Sequence, residues 1–551
     1  MYRTKRLILI FILATAFLGA CNRIPDYAGY IPKDAVAVAG INLSSLSKKI
    51  AWNMITGSKL FKEMQKRIPE KNAKDAMSGI EKAGINTSST FYVYIKSDNR
   101  FKGGNRVTGL VPLSDADQWE TYIKQVFPQA AIKPNGNHKE AALGTDMYVG
   151  WDKHLLIIMN VIGGDYDDDE STAPAPATDV ATLSAEMNNA FNVPKDNSLL
   201  GNKQFAGLET EGHDVTFWLN YEQLMNQYSG NVAEKMGGVS LSGNLWKDAA
   251  LTAGFDFKKG KISGDMHYFI GDGLRDIGNE FAAASLDKEM LDRMPNKNMD
   301  MLITMHVSPK AIKAILEKTQ LLGLANVGLA AQNLTVDEVL DAFTGDMAIV
   351  MNDFSMQTEK VTESFMGQNV VMDRQRTVVS MSYAMKINKK ENFKKLMQLA
   401  AQNGLMPANG GYVIPIDPKD SVYILNNDQY AVISNKYNYA TGILAGDFKT
   451  GKLKGEAYTL ATTNPCAMYL DIQQFVGNVN SNLTENPRDS AMVAESKKLL
   501  SSIAMGGGGF KNNAFDYHLD INFTNQDENS IIQILDYVMK MNDASNQQVA
   551  N

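Results

Sequence analysis

Two stretches of the chain carry the same helical stripe. Trp119, Tyr122, Ile123 and Val126 fall at i, i+3, i+4 and i+7, and Phe393, Leu396, Met397 and Ala400 repeat that spacing 274 residues later. Four apolar side chains on one face of a 3.6-residue turn predict a helix with one buried side in each place. Downstream of each stripe the pattern changes to strand, polar turn, strand. Residues 147–160 read Met-Tyr-Val-Gly-Trp-Asp-Lys-His-Leu-Leu-Ile-Ile-Met-Asn, and residues 422–435 read Val-Tyr-Ile-Leu-Asn-Asn-Asp-Gln-Tyr-Ala-Val-Ile-Ser-Asn. Tyr148 aligns with Tyr423 and Asn160 with Asn435 at an offset of 275. A strand pair is therefore expected after each helix.

A second pattern occurs four times: a short strand run, a polar residue, an apolar residue, then a helix start. Its copies are Asn42-Leu43-Ser44, Asn220-Tyr221-Glu222, His306-Val307-Ser308 and Asp471-Ile472-Gln473. The first and third stand 264 residues apart, preceded by Ile31-Pro32 and Met294-Pro295, and the second and fourth stand 251 apart. Ser44 and Ser308 are expected as N-caps, since a hydroxyl there accepts from an orphan helix amide. Pro309 suits the first helical position, where its missing donor costs nothing. The fall in offset from 275 to 251 requires an insertion in the first copy. Residues 163–178, acidic and then Pro/Ala-rich, have no apolar period and should form a disordered surface loop.

Both copies end alike. Ala253–Phe257 with Ile262–Ile270, and later Phe515–Phe523, read as strands, followed by helices near Leu274–Ala284 and Ile531–Met539. The whole pattern predicts an α+β fold of two homologous tandem domains, 31–290 and 291–545, each a largely antiparallel β-sheet covered by helices. Residues 546–551 are expected to be a frayed tail.

The start of the chain has a different pattern. Arg3, Lys5 and Arg6 precede an apolar run from Leu7 to Phe17 that is too short to span a bilayer comfortably, and Leu18-Gly19-Ala20-Cys21 follows. This predicts a lipoprotein signal peptide over residues 1–20, lipid attachment at Cys21, and a linker over 21–30. Loss of three basic residues moves the formal charge from −7 to −10. Such an acidic chain has no basic footprint for nucleic acid. It has no polybasic stripe for anionic headgroups either, so attachment to the membrane falls to the lipids. Cys466, the other cysteine, is then left without an intramolecular partner. Its setting, Pro465-Cys466-Ala467-Met468-Tyr469-Leu470, is apolar and predicts a buried structural thiol, because reactive thiolates need electropositive surroundings.

Few motifs carry chemistry. Ser45-Leu46-Ser47-Lys48, Ser97-Asp98-Asn99 and Lys449-Thr450-Gly451 reproduce, in order, the three short motifs of serine β-lactamases and penicillin-binding proteins. Their contexts argue for caps and turns. Ser97-Asp98-Asn99 falls in a hairpin turn, Lys449-Thr450-Gly451 in a connector, and the three motifs are split between the two copies. A further S-x-x-K at Ser285–Lys288 shows how readily the pattern arises. Ser45 is the one named nucleophile candidate.

Gly446–Lys452 has phosphate-loop spacing, but Leu453 stands where magnesium needs a hydroxyl. Gly506 to Gly509 are expected to form a flexible turn before a strand. No two of the six histidines lie within ten residues of each other, so no local metal pair exists. His267 and His518 fall in equivalent terminal strands, which suggests a structural role. The Asp165–Glu170 cluster lacks the glycine and glutamate of a calcium loop. Met347, Met351, Met381 and Met385 read as adaptable core filling. Tyr92, Tyr94, Trp119, Trp151 and Trp218 read as core rather than as a glycan platform. Neither a cofactor nor a metal is expected.

Ile31-Pro32-Lys33-Asp34-Ala35-Val36-Ala37-Val38, then Ile41-Asn42-Leu43-Ser44-Ser45-Leu46, directly after a lipobox, resembles the Bacteroidota lipoproteins of domain-of-unknown-function family 4836. The resemblance implies a cell-envelope lipoprotein and carries over no catalytic residues. Asn22 rather than aspartate follows Cys21, and the segment to Asp26 holds one acid, which favours an outer-membrane anchor facing the periplasm. The expected role is a non-catalytic binding or scaffold protein with an envelope protein or glycan partner. The cleft between the two copies is the natural site for such a ligand. The alternatives are a periplasmic serine hydrolase or acyl-transferase acting through Ser45, and a glycan- or peptide-capturing lipoprotein.

Overall fold

A computed structural model describes residues 24–50, 82–97, 105–143, 147–162, 180–225, 245–281, 286–365, 368–416, 420–451, 455–477 and 487–549. The expected signal peptide with Cys21, the 163–178 segment, Asp98-Asn99, Ser285 and Leu453 lie outside the described residues. The chain divides into two compact units. One runs to Tyr228 and includes Ala250–Asp256; the other comprises Ser229–Ala249 and everything from Phe257. The expected domain boundary at 290/291 falls inside the second unit. Among the described residues, no helix is long and apolar enough to cross a membrane.

The first unit holds strands β1 (Ala37–Asn42), β2 (Thr90–Ser97), β3 (Asn105–Pro112), β4 (Lys133–Asn135), β5 (His138–Ala142), β6 (Met147–Trp151), β7 (Leu155–Ile162), β8 (Val215–Asn220) and most of β9 (Ala250–Lys258). Its helices are α1 (Leu43–Lys49), α2 (Ala116–Val126), α3 (Val180–Phe191) and α4 (Lys203–Glu211). Every pairing is antiparallel, in the order β9-β8-β1-β2-β3-β7-β6-β5-β4. Side chains alternate between the two faces of a strand, so each face needs its own cover. Leu155, Ile157 and Met159 join Tyr92, Phe205 and Trp218 in one core with α3 and α4. Leu156 joins Trp151 and the Trp119 and Ile123 stripe of α2 in another.

In the second unit the chain runs through β10 (Lys261–Phe269), α5 (Lys288–Asp292), β11 (Met299–His306), α6 (Pro309–Lys318), α7 (Leu321–Ala330), α8 (Val336–Asp341), β12 (Phe343–Phe365) and β13 (Gln368–Ile387). It continues through α9 (Lys390–Gln402), β14 (Met406–Ala408), β15 (Gly411–Pro415), β16 (Ser421–Asn426), β17 (Tyr430–Ser434), α10 (Tyr437–Ala445), α11 (Gly455–Thr463) and β18 (Cys466–Asp471). It closes with α12 (Ile472–Gly477), α13 (Pro487–Leu499), β19 (Leu500–Lys511), β20 (Ala514–Phe523) and α14 (Ser530–Val549). The antiparallel order is β10-β20-β19-β18-β11-β12-β13-β17-β16-β15-β14. The molecule is thus α+β with a large antiparallel sheet, and both helical stripes and both strand pairs form where their spacing predicts.

Several local expectations are corrected. The N-cap of α1 is Asn42, whose Oδ1 accepts from the Ser45 amide, and not Ser44. Asn220 and Asp471 accept in the same way from Gln223 and Gln474. Only in the third copy does the serine cap, with Ser308 accepting from the Ala311 amide and Pro309 first in the helix. There the corresponding polar residue, His306, is instead bonded to Asp346.

Gly506–Gly509 form no turn. They lie inside β19, with a bulge between Gly507 and Gly509. A Cβ on Gly506 would press on the Asn464 amide, and one on Gly507 would strike the carbonyl of Asp516. Close packing therefore selects Gly506 and Gly507, whereas the sequence suggested flexibility. The helix expected at 274–284 is a 3-10 helix over Asp272–Phe281. Residues 546–549, expected to fray, continue α14. Cys466 is half-buried and Met381 is exposed, so neither is enclosed in the core as expected.

Candidate functional site

A cavity in the first unit holds about 310 Å³. Gly40 and Asn42 of β1, Ser44, Ser45 and Lys48 of α1, and Ser88 to Thr90 line one part of it. Glu209 of α4, Gly212, His213 and Thr216 of β8 line the other. The sheet brings these together through β1, where Gly40 stands opposite both Tyr92 on β2 and Thr216 on β8. A Cβ at Gly40 would collide with the Thr216 hydroxyl and approach Glu209 Oε1 to 3.4 Å. The absence of a side chain here makes room for the carboxylate.

Glu209 is half-buried. Tyr92 donates to its Oε2 and Thr216 to its Oε1, both at 2.6 Å. Burial is the main influence and raises its pKa above the ordinary carboxylate value, although both hydroxyls and nearby His213 favour the charged form. The Tyr92 hydroxyl is pushed far upward by burial and by the Glu209 charge. Tyr27, which donates to the Thr90 carbonyl, is raised to about 12, chiefly by burial.

His213 sits between Asp256, 3.2 Å from Nδ1, and Glu211, 3.0 Å from Nε2. Burial disfavours its charge, but the two carboxylates outweigh burial and raise its pKa. Its ring lies against Gly254, where any Cβ would overlap it.

Ser45 belongs to this pocket, but its setting is not that of an activated nucleophile. Its hydroxyl donates to Asp214 Oδ1 at 2.7 Å. Asp214, fully buried, is also ion-paired to Lys49. An acyl-transfer serine needs a neighbouring base free to take its proton. Here the hydroxyl acts as a donor to a carboxylate already neutralised by a lysine. Lys48 lines the pocket and is exposed. Lys449 belongs to the second unit and pairs with Glu289.

Of the other candidates, Tyr92, Tyr94, Trp119, Trp151 and Trp218 are all buried, so none forms an exposed aromatic platform. Among the described residues no group of three His, Cys, Asp or Glu side chains is arranged to hold a metal. Burial raises the Cys466 thiol. His267 and His518 share a motif, Asp-x-His, and cross-bond between β10 and β20. His267 Nδ1 meets Asp516 Oδ1 and His518 Nδ1 meets Asp265 Oδ1, each at 2.7 Å.

The sequence reading missed Gly40, Glu209 and Asp214 as site residues, and it considered His213 only as a metal ligand. A signal was available: Glu209-Thr210-Glu211-Gly212-His213-Asp214 concentrates charge immediately before an apolar strand.

No family model matches the chain. No curated protein matches it either. Among solved structures it is similar to crystal forms I, III and IV of TP0453, at 8%, 8% and 9% identity and a TM-score of 0.24 in each case. These alignments cover 45–46% of this chain and 81–83% of that one.

Proposed function

We propose that this is an envelope lipoprotein anchored through Cys21 whose first unit binds a small polar ligand without turning it over. The anchor rests on the lipobox and on the resemblance to family 4836 lipoproteins, with a periplasm-facing outer-membrane position as the preferred location. The binding role rests on one observation. A cavity of about 310 Å³ collects six hydroxyl side chains around a half-buried carboxyl. The same cavity favours binding over hydrolysis, because its one candidate nucleophile, Ser45, is tied to the Asp214–Lys49 pair.

We also infer that the chain arose by duplication of one domain, with the repeats drawn at 31–290 and 291–545. Three matches support this. The order β9-β8-β1-β2-β3-β7-β6-β5-β4 repeats strand for strand as β19-β18-β11-β12-β13-β17-β16-β15-β14. Gly40 faces Tyr92 and Thr216 as Thr304 faces Ala348 and Ala467. His213 lies against Gly254 as Asn464 lies against Gly506. On this alignment the hydroxyls of Tyr92 and Thr216 correspond to the apolar Ala348 and Ala467, so the two side chains that hold Glu209 have no hydroxyl counterpart at those positions.

One experiment tests both parts of the functional reading. The chain and its Cys21→Ser variant are expressed in a lipoprotein-processing bacterium, fractionated, and exposed to a serine-reactive fluorophosphonate and a fluorescent penicillin. The wild type should sediment with membranes and the variant should not, and neither should be labelled at Ser45. Membrane retention of the variant would remove the anchor, and labelling that vanishes in Ser45→Ala would restore the hydrolase alternative.

A further inference from the structure

The pocket around Glu209 has a charge pattern that selects among small polar ligands. A carboxylate offers about four lone-pair directions. Tyr92 takes one on Oε2 and Thr216 one on Oε1, so each oxygen keeps acceptor capacity beside the cavity that Glu209 lines. Glu209 stands in the last turn of α4, which ends at Glu211 with Gly212 in the left-handed conformation. Gly212 lines the same cavity. A helix C-terminus carries about half a negative charge on its free carbonyls and favours a cation. Carboxylate and helix end therefore act with the same sign. Among the described residues the one aromatic ring lining the cavity is the His213 imidazole, and no Phe, Tyr or Trp side chain there offers the stacking surface on which neutral sugars commonly rest.

We propose that the ligand is a small molecule bearing a primary ammonium, which sits on Glu209 at the C-terminal end of α4, with the Ser44, Ser45, Ser88, Ser89 and Thr90 hydroxyls bonding the rest of it. This rests on the reading of the cavity as a binding site. The upward displacement of the Glu209 pKa by burial fits a carboxyl whose cationic partner comes from outside the chain. The other titratable groups around it are Tyr27, Tyr92 and His213, with Lys48 on the cavity wall. An amino acid and an amino sugar both offer this chemistry. Lys48 would discriminate between them by meeting a ligand carboxylate.

The test uses the chain from residue 22 onward, purified without lipid, and isothermal titration with defined probes. These are the twenty amino acids, glucosamine, and the matched N-acetyl amino acids, glucose and N-acetylglucosamine. At least one free amine should bind, its amine-blocked partner should bind at least about tenfold more weakly, and Glu209→Gln should lose a similar factor. Lys48→Met should weaken an amino acid and leave glucosamine unchanged. Circular dichroism of the variants separates lost binding from lost folding, and the amine-blocked series needs no variant at all. If glucose binds as well as glucosamine, or Glu209→Gln binds the amine normally, the ammonium assignment is overturned while the cavity remains a binding site. Heat from none of the probes, followed by none from a broad set of neutral polyols and nucleosides, would overturn both.

Discussion

At the scale of single residues, the first unit is unusual for the ionisable groups it encloses. Glu209 costs the ligand-free fold stability whenever it ionises. Its folded pKa lies above its unfolded value, so the folded state holds the proton more tightly. The related stability is complete below the unfolded pKa and is lost as pH rises through the folded one. Glu209→Gln should therefore raise the melting temperature near neutral pH, with the gain shrinking as the buffer approaches pH ~4. Parallel thermal scans across that range check it, and identical pH profiles for the two proteins would refute it.

Arg106 and Glu186 form a different kind of buried pair. They meet at 2.6 Å, with both side chains under a tenth exposed. Removing one partner breaks a buried ion pair, so Glu186→Ala should cost about 3–5 kcal/mol in chemical denaturation. The double replacement Arg106→Met with Glu186→Leu should recover most of that loss, because neither charge then remains to be desolvated.

At the scale of elements, strand β19 shows what glycine does in a sheet. Gly507 packs so closely on β20 that a methyl group would meet the Asp516 carbonyl, while a methyl group on Gly509 would meet nothing within 4 Å. Gly507→Ala should destabilise the second unit by about 1–3 kcal/mol, and Gly509→Ala by less than about 0.5 kcal/mol. Equal effects in urea titrations would mean that the strand relaxes freely and that packing does not select the glycines.

The same strand marks the limit of reading the chain alone. Periodicity located α2, α9 and both strand pairs because one buried face is a local property of spacing. A run of four glycines has no face, and its strand character comes from neighbours far away in sequence. The α1 cap divides along the same line. Asn42 and Ser44 are both competent caps by residue type, and the difference lies in where the chain leaves β1. The pocket was the least legible feature. Gly40 and Glu209 are 169 residues apart in sequence, and only the pairing of β1 with β8 brings them together.

At the scale of the molecule, two compact units, each with a main core of its own, imply two unfolding events. The first unit is organised around Tyr92, Ile157, Phe205 and Trp218. The second is organised around Leu302, Val350, Ala384 and Val432. Each cluster draws its members from one unit only, so each unit has a core of its own to lose. Chains of this length generally unfold through such substructures and not in one cooperative step. Calorimetry of the chain from residue 22 should resolve two transitions. Phe205→Ala, a truncation worth about 3–5 kcal/mol, should lower one of them. Val350→Ala, a smaller loss of about 1–3 kcal/mol, should lower the other. A ligand held at Glu209 should raise only the transition that Phe205→Ala lowers, since binding stabilises the unit that contains the site. A single transition that moves as a whole with either substitution would mean that the continuous chain through β9 couples the units more strongly than their separate cores suggest. In that case any ligand in the first copy would stabilise the second as well, and the two copies would act as one cooperative body.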